Sequence, residues 1–122
     1  MIVGLGVDIC DIAKLKRPLK ANRRFIERVF SKKEIEYCKA RKSAILHYAG
    51  RFAVKEAFIK AVSVDKGVKL SDIETVNNKD GKPDILVNKN IRAMMKKKGA
   101  TSIHITISHV GTIAVAVCVL ER

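Results

Sequence analysis

Close to the C-terminus, the run Ile113-Ala114-Val115-Ala116-Val117-Cys118-Val119-Leu120 is apolar at every position. A strand with one wet face alternates between apolar and polar residues, so a strand apolar throughout needs cover on both faces, as a central strand or at a subunit interface. A chain of 122 residues without a Pro/Gly/Ser-rich linker or a break in composition reads as one domain, residues 1–122. A domain of that size has little capacity to cover both sides of a sheet, and the run therefore predicts oligomerisation. The segment before it behaves differently. Over residues 101–109, His104, Thr106 and Ser108 share one face while Ile103, Ile105 and Ile107 share the other, the pattern of a half-buried strand.

Residues 2–9 are β-branched and glycine-containing and read as a first strand, with Asp8 at its end. A helix follows from Asp11, its expected cap, because Ile12, Leu15 and Leu19 recur at helical spacing with Lys14, Lys16 and Arg17 facing elsewhere. Pro18 should break or kink it. Ser31-Lys32-Lys33-Glu34 forms a capping box ahead of a helix over 32–40. The longest helix spans 44–62, where Ala49, Ala53, Ala57 and Ala61 make a small-residue strip for close packing. Strands over 72–76 and 85–87 flank the turn signal Asp80-Gly81. Asn88 or Asn90 then caps a helix ending near Gly99, with Lys96, Lys97 and Lys98 at its negative end.

The net charge of +13 implies attraction to an anionic partner: nucleic acid, an acidic protein or a phosphorylated small molecule. With two tyrosines, four phenylalanines and no tryptophan, no base-stacking platform is apparent, which argues against the first. Cys10, Cys38 and Cys118 are odd in number and lack metal-ligand spacing, as expected of reduced thiols in a cytoplasmic protein. The N-terminus has no secretory pattern and no apolar run is long enough to span a bilayer, so no membrane role is expected.

Within the 44–62 helix, Phe52, Glu56 and Lys60 stack in one row four residues apart, and the phenylalanine implies that the row is partly buried. Alone, Glu56 and Lys60 are equally a surface ion pair. Asp8 adds a second carboxylate, and two carboxylates with phosphate oxygens and water are a common way to hold magnesium. At Ser108-His109-Val110-Gly111 a strand ends in a turn where a hydroxyl, an imidazole and free amides can grip a phosphate. A serine hydrolase would need a base and an orienting acid that this neighbouring pair does not supply. His47 and His104 read as packing or surface residues.

Four marks occur in order: Gly4-Leu5-Gly6-Val7-Asp8-Ile9; Arg24-Phe25-Ile26-Glu27-Arg28-Val29-Phe30; Ala49-Gly50-Arg51-Phe52-Ala53-Val54-Lys55-Glu56-Ala57-Phe58-Ile59-Lys60-Ala61; and Ile107-Ser108-His109. With Gly81-Lys82-Pro83 they give a chain that resembles the holo-acyl-carrier-protein synthases, the small bacterial 4'-phosphopantetheinyl transferases. The resemblance implies an α+β fold, a long central helix on a small antiparallel sheet, assembling as a homotrimer with sites between subunits. It implies magnesium-dependent transfer of phosphopantetheine from coenzyme A to a serine of apo-acyl carrier protein, releasing adenosine 3',5'-bisphosphate in support of fatty acid biosynthesis. In those terms Asp8 and Glu56 are the metal ligands, Glu56 is also the candidate base, and Lys60 contacts the coenzyme A phosphates. Arg51, Ser108 and His109 bind the nucleotide end. The acidic carrier protein docks on the first helix through Lys14, Arg17, Lys20, Arg24 and Phe25. The sequence departs from the family at Lys14, where arginine is usual, at Pro18, and at 62–67, where a Gly-Thr-Gly type loop is usual. The alternatives are a small basic nucleic-acid-binding protein and a carrier-binding module without chemistry.

Overall fold

A computed structural model describes residues 1–64 and 67–122. In chain order the elements are β1 (Ile2–Asp11), α1 (Ile12–Ala21), α2 (Arg23–Val29), α3 (Lys32–Lys39), α4 (Ala44–Val62), β2 (Thr75–Asn77), β3 (Pro83–Ile85), α5 (Lys89–Lys98), β4 (Ser102–Val110) and β5 (Ile113–Glu121). The architecture is α+β, and α4 is its central helix, with the expected bounds. Asp65 and Lys66, in the loop where the sequence departs from the family pattern, lie outside the described residues.

The fully apolar run becomes β5, the middle strand of an antiparallel sheet ordered β1-β5-β4. Ala114, Ala116, Cys118 and Leu120 form its inner face and are completely buried. Two glycines of β1 let α4 come unusually close to this face. A Cβ at Gly4 would lie 2.3 Å from the Ala61 carbonyl oxygen, and one at Gly6 only 1.9 Å from that of Ala57. The partners across this contact are the alanine strip, since Ala49, Ala53 and Ala57 are fully buried and Ala61 almost so. Small residues on both sides are therefore what seat the helix on the sheet.

The outer face is different. Leu5 pairs with Val119, Val7 with Val117 and Ile9 with Val115, and Thr106 and Ser108 extend the same face on β4. Leu5 and Ile9 are each 66% exposed and Val110 is 75% exposed, so the single chain leaves a contiguous apolar surface open.

Three local expectations change. Strand β1 continues past Asp8 to Asp11, whose carboxylate caps α1 through the Ala13 amide at 3.0 Å. Helix α1 runs through Pro18 and ends at Asn22, whose amide donates to the Pro18 carbonyl. The bond that proline removes, to the Lys14 carbonyl, lies on a solvent-facing helix with exposed Lys14 and Arg17, where water can replace it. The expected 72–76 strand instead opens with a 3-10 turn, Leu70–Asp72, and only Thr75–Asn77 pairs with Pro83–Ile85. The reason is competition for carbonyls: those of Leu70 and Ile73 accept from Lys55, and that of Asp72 accepts from Asn88. At the other side, Leu86 and Val87 leave the strand and turn into α5, which Asn88 caps at the Ile91 amide. No helix of the described residues is long and apolar enough to cross a membrane.

Candidate active site

Asp8 pairs with Ala116 and so shares the inner face with Gly4 and Gly6. Because the glycines admit Ala57 and Ala61, the next inward residue of β1 arrives beside the Phe52-Glu56-Lys60 row. Lys60 Nζ donates to Asp8 Oδ1 at 3.2 Å and to the Val7 carbonyl at 2.9 Å. Among the described residues its ion-pair partner is Asp8, not Glu56. Glu56 is half-buried, and its carboxyl is held above the usual range, first by burial and then by the negative charge of Asp8, with Lys60 partly opposing. The two carboxylates, distant in sequence, are thus within each other's electrostatic reach.

That donor set fits a hard divalent cation. Asp8 and Glu56 both offer hard carboxylate oxygens, and a doubly positive ion would relieve the repulsion that raises Glu56. Among the described residues no group of three or more His, Cys, Asp or Glu side chains could hold a metal. Phosphate oxygens and water would have to complete the coordination.

A second cluster lies toward the other end of α4. A cavity of about 200 Å³ is lined by Tyr37, His47, Gly50, Arg51, Asn77, Pro83, Ile107 and His109. Arg51 is only 4% exposed; its Nη2 donates to Asn77 Oδ1 at 2.9 Å, and its buried Nε has no partner. Its guanidinium carbon sits 3.9 Å from the centre of the Tyr37 ring, and that of Arg41 sits 3.8 Å from the same ring. The His109 ring lies 3.2 Å from the Leu46 carbonyl through Nε2. The His47 imidazole is held below its ordinary pKa by burial, then by the positive charges of Arg51, Arg41 and His109. Basic side chains converge here, and none of the lining residues is acidic.

The two clusters leave α4 on different sides. Arg51 and Glu56 are five residues apart, roughly 7.5 Å of rise and about 140° of rotation at α-helical geometry. Gly50 stands over Ile107 and His109 of β4, whereas Ala57 stands over Gly6 of β1. Ser108 and His109 also part company, because both lie within β4, which continues to Val110. Ser108 pairs with Val115 on the outer face and His109 with Ala114 on the inner.

Lys14, Arg17, Lys20 and Arg24 are all exposed along α1 and α2, and Phe25 is half-buried beside them. A shallow groove of about 390 Å³ runs along α1 past Lys16, Arg17 and Lys20. A larger one of about 490 Å³ lies between α2 and α3, floored by Ile26, Phe30 and Ile35, and touches neither cluster.

Sequence reasoning missed several residues. Lys55, inside the most distinctive motif, is completely buried: its Nζ donates to Glu34 Oε1 and the Ile73 carbonyl, each at 2.6 Å, and to the Leu70 carbonyl at 3.0 Å. Glu34 does close the capping box at the Ser31 amide, but its other oxygen accepts from the Thr75 amide. Tyr37, His47 and Asn77 were not singled out as parts of a site. The available signal was proximity of Tyr37, Arg41 and His47 to Arg51 in a strongly basic stretch.

Comparison with known proteins gives one answer. The profile of the 4'-phosphopantetheinyl transferase superfamily matches residues 4–118. The chain is 40% identical over 125 residues to the holo-[acyl-carrier-protein] synthase of Geotalea daltonii, covering all of both chains. Among solved structures, the holo-[acyl-carrier-protein] synthase of Neisseria meningitidis superimposes with a TM-score of 0.89 at 25% identity over the full length of both. The Bacillus anthracis synthase, in complex with CoA (3',5'-ADP), does so with a TM-score of 0.81 at 35% identity, over 99% of this chain and 97% of that one.

Proposed function

Because the chain belongs to the 4'-phosphopantetheinyl transferase superfamily, and within it to the holo-[acyl-carrier-protein] synthases, we propose that it loads acyl carrier protein in support of fatty acid biosynthesis. It moves the 4'-phosphopantetheine arm of coenzyme A to a serine hydroxyl of the apo-carrier, in the cytoplasm and with magnesium. The observation that carries this reading is the convergence of Asp8, Glu56 and Lys60 on one edge of the α4–β1 contact.

The serine oxygen attacks the β-phosphorus of coenzyme A, forming a phosphodiester and breaking the bond to the adenosine-bearing phosphate, which leaves as adenosine 3',5'-bisphosphate. Asp8 and Glu56 would hold the magnesium, which supplies Lewis-acid stabilisation of charge on the pyrophosphate. Lys60, ion-paired to Asp8, brings an ammonium to the same edge, where it can bind the phosphate on which charge accumulates. Glu56 accepts the serine proton, directly or through a water.

The nucleotide end belongs in the cationic cavity of Arg51 and His109, with Ser108 at the same strand end. Since that cavity and the carboxylates lie on different sides of α4, we infer a homotrimer in which one subunit's cavity completes its neighbour's carboxylate cluster. The open apolar face of Leu5, Ile9, Val115 and Val117 supports such an assembly. Incubation with coenzyme A, magnesium and several apo-carriers, followed by mass spectrometry, is expected to add one phosphopantetheine to a carrier. No gain with any of them would sink the assignment.

The carrier docks on α1 and α2. Lys14, Arg17, Lys20 and Arg24 present positive charge without an acidic residue in α1, and Phe25 offers an apolar contact among them. Lys14→Glu combined with Arg24→Glu is expected to raise the carrier KM by about tenfold or more with little change in kcat, because like charge at a rim acts on association. Both residues are exposed, so folding should be unaffected. An unchanged carrier KM at low salt would contradict this docking surface.

A further inference from the structure

Two guanidinium groups each within 4 Å of the centre of one phenol ring must lie on its opposite faces, since two could not share a face at that distance. Tyr37 is therefore a wedge between Arg41, 3.8 Å away, and Arg51, 3.9 Å away. A guanidinium held over a ring face has its freedom reduced by that contact. For Arg51 the orientation is restricted further, because Nη2 is bonded to Asn77 Oδ1, whose own Nδ2 is tied to the Gly81 carbonyl. What remains is an oriented donor edge on a side chain 96% withdrawn from solvent, with Nε unpartnered, beside a cavity that His47 and His109 also line. The edge of Tyr37 meets His47 as well, with ring centroids 5.6 Å apart in a T-shaped arrangement. Tyr37 thus touches Arg41, Arg51 and His47, the last two of which line the cavity with it. Two guanidinium groups held this close repel unless an anion, or a surface that attracts positive charge, lies between them, and the ring faces supply the second.

We propose that Tyr37 is a positioning residue of the nucleotide half-site: braced by Arg41 on its other face, its ring orients the Arg51 donor edge toward a phosphate monoester, and so sets the preference for a coenzyme A that carries that phosphate over one that lacks it. The inference rests on the transferase reading above. The ligand chemistry follows from the donors. A guanidinium edge and imidazoles around a small cavity suit a compact dianion, and coenzyme A offers one such group on its ribose in addition to the pyrophosphate. The phenol hydroxyl has no part in this; the ring does the work.

Steady-state rates with coenzyme A and with dephospho-coenzyme A, at saturating apo-carrier and magnesium, test this. The wild type is expected to favour coenzyme A through KM. Tyr37→Leu should raise the coenzyme A KM by about tenfold, with kcat and the dephospho-coenzyme A KM little changed, and Tyr37→Phe should restore the preference. Arg41→Ala, at an exposed residue whose loss does not threaten the fold, should reproduce the selective change. Calorimetric binding of adenosine 3',5'-bisphosphate against adenosine 5'-monophosphate should show the same selective weakening in Tyr37→Leu. Equal shifts for both substrates, or a Tyr37→Phe that behaves as Tyr37→Leu, would overturn the positioning role. So would a wild type that uses both substrates equally, and in that case the transferase reading would stand. A wild type that uses neither substrate would bring down both.

Discussion

Lys55→Met should lose about 3–5 kcal/mol of folding stability and lower the thermal midpoint by roughly 10–20 °C, the largest stability effect expected of any single change near the site. Methionine fills much of the lysine volume, so the loss is not chiefly a cavity. It comes from what is left behind: a buried Glu34 carboxylate without its cation, and the Leu70 and Ile73 carbonyls without their donor. Lys55→Met combined with Glu34→Leu should regain part of the loss, because both charges then leave the interior together. Recovery should stop short of wild type, since Glu34 also serves the Ser31 and Thr75 amides. Urea melts of the two single variants and the double variant read the coupling directly; additive losses would mean that the pair does not act as a unit.

The same lysine predicts a pH trend. Burial lowers the Lys55 pKa and the Glu34 carboxylate pulls it back only in part, so the net direction is down. The folded chain then holds that proton less firmly than the unfolded chain. Between the folded value and the ordinary lysine value, stability from this group should therefore rise with pH. The trend should vanish in Lys55→Met.

Why this lysine went unread shows where sequence reasoning runs out. A charged residue beside Glu56 on a helix is normally solvent-facing, and its three acceptors come from segments 15 to 21 residues away. Local patterns, by contrast, were legible because their causes are local. The alanine strip marked the packed face of α4, and the caps at Asp11, Ser31 and Asn88 follow from side chains reaching two or three residues ahead. The short β2–β3 hairpin was placed only approximately, because Lys55 and Asn88 take carbonyls that a longer strand would have needed. Asp8, Glu56 and Lys60 could be grouped from motifs, yet their meeting depends on Gly4 and Gly6 having no Cβ. The nucleotide cavity was half legible. Arg51 and His109 stood in motifs, whereas Tyr37 matters only through two cations that the α3–α4 connection and α4 bring to its faces.

Glu56→Gln and Asp8→Asn are each expected to lower turnover by about a hundredfold to ten-thousandfold, the range set by losing a base or an electrostatic clamp on the transferring phosphoryl group. Neither should unfold the protein. Burial and Asp8 both disfavour the ionised form of Glu56, so stability from its proton is fully present below the ordinary carboxylate pKa and is lost as pH rises through the raised folded value. A neutral glutamine removes that loss, and Glu56→Gln should be as stable as wild type at neutral pH or slightly more so. The two variants separate under a magnesium titration. If both residues only hold the metal, both deficits should shrink together as magnesium is raised. If Glu56 also takes the serine proton, Asp8→Asn should recover part of its rate while Glu56→Gln stays low at every magnesium concentration. Asp8→Asn carries one further signature, because it removes the charged partner of Lys60 and leaves the Val7 carbonyl, so its coenzyme A KM should move while that of Glu56→Gln does not. Near-wild-type turnover in either variant at ordinary magnesium would remove that carboxylate from the site.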